Sequence, residues 1–304
     1  MAPLSPDAPL IPQLASDLLP WEPHRPTLML LGSSLTRAQG EAVLAQCGPL
    51  NAVVAENLPG GLQRVGWQGR EFDALPAAPE GCELLILPPN LPSLAQPGLL
   101  LMDMDSTAIT IECIDEIARQ GGVYDQVAAV TAQAMAGGLE FAESLRRRVA
   151  MLKGIPESVL GDIAQQPPLM PGLVTLCQAL KQRGWRLALA SGGFTPVAKA
   201  VAEAAGLDYI EANDLTVCDG VFTGEVDGAI VDAARKAAIL EELGARWGIA
   251  PAQRVAMGDG ANDLPMLAAA GLGVGVHPKP AVAAQADVAL AHLGLDAVLA
   301  LLRP

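Results

Sequence analysis

No C-x-x-C pair occurs in this 304-residue chain, and its five cysteines (Cys47, Cys82, Cys113, Cys177, Cys218) are odd in number and widely spaced. That pattern suggests neither a zinc site nor a disulfide framework, so the thiols read as reduced and buried. Basic residues are scarce, 19 against 33 acidic ones, and the net charge of −14 disfavours nucleic acid or an anionic membrane as the main partner. It does not disfavour a small anion gripped by a few cations in one cleft. An uncharged run of about 18 apolar residues, the length needed to cross a bilayer, is missing. The opening "MAPLSPDAPLIPQL" lacks a basic stretch followed by an apolar one, which leads to the expectation of a cytoplasmic protein. What remains is 51% apolar and 17% charged, a globular composition with room for a principal domain of roughly 200 residues and something smaller.

Residues 1 to about 25 are Pro-rich and read as an irregular arm. A small α+β region follows, with strands expected over Thr27 to Leu31, Leu50 to Ala55, Leu62 to Trp67 and Glu83 to Leu87, and a helix from Thr36 to Gln46. "PPNLPSLAQPG" (88 to 98), with four prolines, reads as a linker. Beyond it, apolar runs end at a polar residue and give way to helices: Leu99 to Met102, Trp185 to Ala190, Arg254 to Met257 and Leu272 to Val276. Thr195-Pro196 supplies an N-cap and a proline at the first helical position with Gly206 as the stop. Pro171 to Gly184 is framed similarly, and Asp232 caps a helix running toward Gly244. Continuous apolar strands alternating with helices predict an α/β fold with a parallel sheet covered on both faces. Cys113 to Met170 shows helical periodicity without strands, a helical insert. "DLTVCDGVFTGEV" (214 to 226) reads as a hairpin turning at Asp219-Gly220.

Ligands of open α/β sheets bind at the carboxyl ends of the strands. Those ends carry Asp103, Asp105, Ser106 and Thr107 in "DMDST", Ser191-Gly192-Gly193, and Asp259, Asn262 and Asp263 in "GDGANDL". Carboxylates, a hydroxyl and glycine-exposed amides are what a magnesium ion and a phosphate need. Each motif alone also has a plainer reading. Asp-x-Asp fits a solvated strand end as well as a metal site, Ser-Gly-Gly fits a turn, and Asp259 and Asp263 fit a helix cap. An EF-hand is excluded, because its sixth and twelfth positions would be Ala108 and Ile114 rather than glycine and glutamate. Lys236 is one of five lysines, and sequence spacing alone does not place it. Phe141, Leu145, Arg148 and Leu152 share one helical stripe, so Arg148 either snorkels or grips a carboxylate.

Taken together, these residues resemble the haloacid dehalogenase superfamily, whose four motifs correspond to "DMDST", "SGGF", Lys236 and "GDGANDL" over about residues 99 to 290. Glu112 in "TIECIDEIA", Met135 in "VTAQAM", and Phe141 with Arg148 in "LEFAESLRRRV" are similar to the substrate-recognition residues of members acting on O-phosphoserine. The resemblance implies a Rossmann-like core (99–112 and 171–304), a helical cap (113–170) and Mg2+-dependent hydrolysis of O-phosphoserine to serine and phosphate, the last step of serine biosynthesis. It makes Asp103 the nucleophile forming an aspartyl-phosphate and Asp105 the acid, then base. Magnesium would rest on the Asp103 and Asp259 side chains and the Asp105 backbone carbonyl, with Asp263 behind them. Ser191, Gly192, Lys236 and Asn262 would hold the phosphoryl group, Glu112 and Arg148 would match the ammonium and carboxylate, and Phe141 and Met135 would exclude water.

Residues 1–98 resemble a small ACT-like domain whose second helix is reduced to about "EFDALPAA", so a packing or homodimerisation role is expected ahead of amino-acid sensing. Two other functions stay open at this point: phosphate transfer from phosphoserine to another alcohol such as homoserine, and a non-catalytic amino-acid-binding regulator, against which the intact motifs argue. A P-type pump is excluded, since it needs membrane helices and a lysine where Met104 stands.

Overall fold

The computed structural model describes residues 5–69, 72, 74–135 and 138–304. After a short helix, α1 (Leu10–Leu14), come β1 (Thr27–Gly32), α2 (Arg37–Cys47), β2 (Asn51–Asn57), β3 (Gln63–Gln68) and β4 (Glu83–Leu87). The four strands form an antiparallel sheet in the order β2-β3-β1-β4. The arm before β1 is thus not wholly irregular: Leu10 and Ile11 are buried against β1 and α2. α2 starts where a Thr-x-x-Gln capping box satisfies its first amides, with Thr36 and Gln39 each accepting from the other's backbone N–H. "EFDALPAA" lies partly outside the described residues, and residues 74–79 are not helical.

The larger sheet contains β5 (Leu99–Met102), β6 (Arg186–Phe194), β7 (Tyr209–Cys218), β8 (Val221–Asp227), β9 (Arg254–Gly258), β10 (Leu272–Val276) and β11 (Val288–Leu290). Its order is β11-β10-β9-β5-β6-β7-β8, parallel except for β8, which pairs antiparallel with β7 through the Asp219-Gly220 turn. Helices α3 (Cys113–Gln120), α4 (Tyr124–Met135), α5 (Phe141–Ala150), α6 (Ser158–Gln165) and α7 (Leu173–Lys181) separate β5 from β6. The later helices are α8 (Thr195–Ala205), α9 (Ala233–Trp247), α10 (Leu264–Ala269), α11 (Pro280–Ala283) and α12 (Val298–Leu301). No helix among the described residues is long and apolar enough to cross a membrane.

β5 shows why its sequence is unbroken Leu-Leu-Leu-Met. Leu100 and Met102 pack on one face with Leu173, Leu176 and Val197, while Leu99 and Leu101 pack on the other with Ile239, Leu240 and Met266. A strand buried on both sides, between two parallel neighbours, has no solvent-facing position for a polar residue. The first place where polarity is tolerated is its carboxyl end.

Further details differ from the sequence reading, among them the exposed thiol of Cys218. β11 and α12 were not expected, because runs of three and four residues carry too little periodicity. β7 begins at Tyr209, five residues before the expected hairpin, and its first half pairs parallel with β6. Thr195 is not an N-cap: it is the first residue of α8, Pro196 follows it inside the helix, and its hydroxyl donates to the Ala212 and Asn213 carbonyls of β7 at 3.4 and 3.2 Å. The proline-rich linker is tied down rather than free, since Gln253 accepts from the Ser93 amide at 2.7 Å and donates to the Ser93 carbonyl at 3.1 Å.

The two sheets are joined by buried charge. Arg64 of β3 is fully buried and donates to the Ala300 and Leu302 carbonyls at the end of α12, at 2.9 and 2.6 Å, while pairing with Glu56. It satisfies carbonyls that a helix C-terminus leaves without partners. Glu83 of β4 accepts from the Ala291 and Leu293 amides just past β11, at 2.5 and 3.3 Å.

Candidate active site

Register sets the site. Met102 of β5 pairs with Leu189 of β6 on one side and Met257 of β9 on the other, so Asp103, Ser191 and Asp259 all emerge within a residue or two of one level. From β5 the chain moves outward through β6, then returns to β9 on the opposite side, which makes this the switch point where the crevice opens. A cleft of about 860 Å³ lies there, lined by Asp103, Asp105, Ser191, Gly192, Asp259 and Asn262 on the sheet side and by Glu112, Phe141 and Arg148 on the helical side. Of the residues expected from sequence, Lys236 and Asp263 lie buried just beneath. Met135 ends α4, but its side chain lies outside the described residues.

Lys236 is fully buried and joins Asp103 Oδ1 at 2.6 Å to Asp263 Oδ1 at 2.8 Å. The second Asp263 oxygen accepts from the Gly260 amide at 3.0 Å. Burial works against the lysine's charge, but the two carboxylates outweigh it and hold the ammonium above its usual range. Burial and the nearby carboxylates of Asp263 and Asp259 push Asp103 up, against the pull of Lys236. Gly258 makes the approach feasible, because a Cβ there would fall 2.4 Å from the Asp263 carboxyl carbon.

Asp103, Asp259 and Asp263 bring carboxylate oxygens within 4.8 Å of one another. This buried, all-oxygen set places three carboxylates against two lysines, Lys236 and the Lys279 that pairs with Asp259, and fits a hard metal cation. Asp263 is placed less well than the others to ligate, since both its oxygens already accept hydrogen bonds. Asp105 stands apart. Its Oδ1 is buried with no partner among the described residues, and burial, then the charge of Glu112, push its carboxyl up to about 7 against hydrogen bonds from Cys113. One aspartate is thus hydrogen-bonded to a buried lysine, and its neighbour is set to carry a proton near neutral pH.

Ser191 is buried, and its Oγ accepts from the Gly193 amide at 2.8 Å. Asn213 of β7 clamps this loop, donating to the Gly192 carbonyl and accepting from the Val231 amide, both at 2.9 Å. Phe141 packs on Gly192 so closely that a Cβ there would fall 2.6 Å from the ring. Arg148 lies in the cleft wall, and its one hydrogen bond among the described residues is to the Ser144 carbonyl, at 3.4 Å. Burial pulls its guanidinium down, opposed by Glu112 and Asp115.

Sequence reasoning missed Lys279, which lies 2.9 Å from Asp259 Oδ2 and 3.9 Å from Glu112 Oε1. It follows β10, whose carboxyl end was not searched as the other strand ends were, and it is one of only five lysines. Asn213 was missed because its strand was. Ser106 holds a left-handed backbone (φ 55°), and its hydroxyl donates to Glu112 Oε1 at 2.9 Å.

The family profile described as haloacid dehalogenase-like hydrolase matches residues 98–271. A phosphoserine phosphatase of Vibrio cholerae is 48% identical over 213 residues, which are 70% of this chain and 65% of that protein. One of Idiomarina loihiensis is 50% identical over 206 residues, 68% of this chain and 94% of that protein. Among solved structures, the unliganded probable phosphoserine phosphatase of Vibrio cholerae superposes with a TM-score of 0.79 at 39% identity, covering 91% of this chain and 86% of that one. A substrate-bound phosphoserine phosphatase gives 0.65 at 38%, covering 68% of this chain and 99% of that one. With its profile match running from β5 to the start of β10 and carrying Asp103, Ser191, Lys236, Asp259 and Asp263, the chain belongs to the haloacid dehalogenase-like hydrolases.

Proposed function

We propose that the chain hydrolyses O-phosphoserine to serine and phosphate in the cytoplasm, through an aspartyl-phosphate on Asp103. The observation that carries this is the pairing of two chemistries across one cleft: a carboxylate, lysine and hydroxyl edge for a phosphoryl group, and the opposite charges of Glu112 and Arg148 for the ammonium and carboxylate of an amino acid.

An Asp103 oxygen attacks phosphorus in line, and the P–O bond to the seryl oxygen breaks. The Asp105 carboxyl, with its pKa of about 7, gives its proton to that oxygen. Serine leaves, and Asp105, now a carboxylate, takes a proton from water as the water attacks phosphorus and the bond to Asp103 breaks. Lys236, the Ser191 hydroxyl and the Gly192 amide offset charge on the phosphoryl oxygens. Asp103 and Asp259, with the Asp105 backbone carbonyl, would hold Mg2+, which when bound supplies Lewis-acid neutralisation of the phosphoryl charge. Asp263 fixes Lys236 between two carboxylates, and Phe141 closes the site to water; Met135, expected to share that role, has its side chain outside the described residues.

In this reading residues 99–112 and 171–304 are the catalytic core, 113–170 the cap, and 1–98 a packing domain fastened by Arg64 and Glu83. The test is phosphate release from O-phospho-L-serine against phosphothreonine and sugar phosphates, with and without magnesium. Preference for phosphoserine and loss of turnover on chelation are expected. Preference for a sugar phosphate would overturn the substrate, and full turnover without any divalent cation would overturn the metal.

A further inference from the structure

We infer that Lys279 is a tethered competitor for the two cationic subsites of the cleft, occupying Asp259 and Glu112 until a metal ion and the substrate's ammonium displace it; this rests on the function proposed above. One amine spans both carboxylates, 2.9 Å from Asp259 Oδ2 and 3.9 Å from Glu112 Oε1. The remaining contacts fix those acceptors: Thr107 Oγ1 lies 3.4 Å from Asp259 Oδ1, and Ser106 Oγ lies 2.9 Å from the Glu112 oxygen that faces Lys279. A divalent cation settling on Asp259, or an ammonium settling on Glu112, meets a like charge already there.

The backbone makes this a competitor that cannot leave. The Lys279 amide donates to the Asp259 carbonyl at 2.9 Å, so the stem is anchored to the residue whose carboxylate the head group occupies. Pro278 and Pro280 flank it and restrict the chain on both sides. The side chain remains 47% exposed, so the ammonium can swing into the cleft mouth when displaced. Lys236 offers the contrast. It is fully buried, holds Asp103 and Asp263, and has no route out. Two lysines therefore face one acidic cluster, the first a permanent counter-ion and the second an exchangeable one. The consequence is a metal site that is weaker than its carboxylates alone would make it, and an acidic cleft that is partly neutralised before its ligands arrive.

The test is Mn2+ binding to the full chain without substrate, followed by the electron paramagnetic resonance of free Mn2+. Lys279→Gln should bind Mn2+ about tenfold more tightly than the parent, equivalent to about 1.4 kcal/mol, and should bind L-serine more tightly as well. Lys279→Arg, which keeps the charge, should stay near the parent. A merely structural lysine would give the opposite sign, since damage to the loop loosens a site. Unchanged or weaker Mn2+ binding in Lys279→Gln would overturn the inference alone. Asp259→Asn is the control: it should abolish Mn2+ binding, and if it does not, the proposed metal site falls and this inference with it.

Discussion

The two walls of the cleft hold their charges differently. On the sheet wall Lys236, Asp103 and Asp263 form a closed, buried chain of charge-assisted hydrogen bonds, and Lys279 pairs with Asp259. On the helical wall, among the described residues, Arg148 has one long hydrogen bond to a backbone carbonyl, and the Ser144 hydroxyl beside it is buried without a partner. The sheet wall is built by register and is complete when the chain folds. The helical wall has donors waiting for an acceptor, which in the proposed function a substrate carboxylate supplies. In that proposal the catalytic edge is pre-organised, and recognition is finished by the ligand on the helical wall.

That contrast can be broken most severely at the centre of the sheet wall. Asp103→Asn should lower turnover by about 10⁴-fold or more, as loss of a nucleophile does, measured as phosphate release at saturating substrate. Lys236→Met keeps the volume but leaves two buried carboxylates without their cation. It should destabilise the fold by about 3–5 kcal/mol, read from urea denaturation with metal chelated, and a cost under 1 kcal/mol would show the charge chain to be slack.

Asp105 gives the next effect, and its sign is fixed by linkage. The folded carboxyl titrates near 7, above its unfolded value of about 3.9. Its stabilising contribution is therefore present below pH 4 and is lost as the pH rises through 7. In metal-free protein Asp105→Asn should gain stability relative to the parent between pH 4 and pH 8, by about 4 kcal/mol, and a flat difference across that range would contradict the assignment. The smallest effect belongs to the helical wall. Arg148→Ala should raise KM for phosphoserine by about 10²-fold, since the interaction lost is a charged bidentate one, while barely changing KM for O-phosphoethanolamine, which lacks the carboxylate. Equal losses on both would mean that Arg148 supports the wall rather than reading the substrate.

The sheet wall was legible in the sequence because its signals are local. Leu99 to Met102 leaves no room for polarity until Asp103, and Ser191 and Asp259 stand at the ends of similar runs, so listing strand ends recovers the edge. Lys236 was legible as a residue but not as a position. A lysine on α9 reaches Asp103 across 133 residues of chain, and only the packing of that helix against the sheet brings them together. The Arg64 clamp was illegible for the same reason, reaching carbonyls 236 and 238 residues away, whereas Lys279 and Asn213 were missed because one strand end was not searched and one strand was not recognised. β11 and α12 were missed because short elements draw their stability from neighbours rather than from their own pattern.

The central claim is that the sheet edge transfers the phosphoryl group through Asp103, and trapping the intermediate tests it most directly. The full chain is mixed with radiolabelled O-phospho-L-serine and magnesium, quenched in acid within milliseconds, and mapped by peptide. The account predicts label on the peptide carrying Asp103, absent in Asp103→Asn and retained when Ser191 is replaced by alanine. Label on Ser191, or steady turnover with no labelled protein at any quench time, would contradict it.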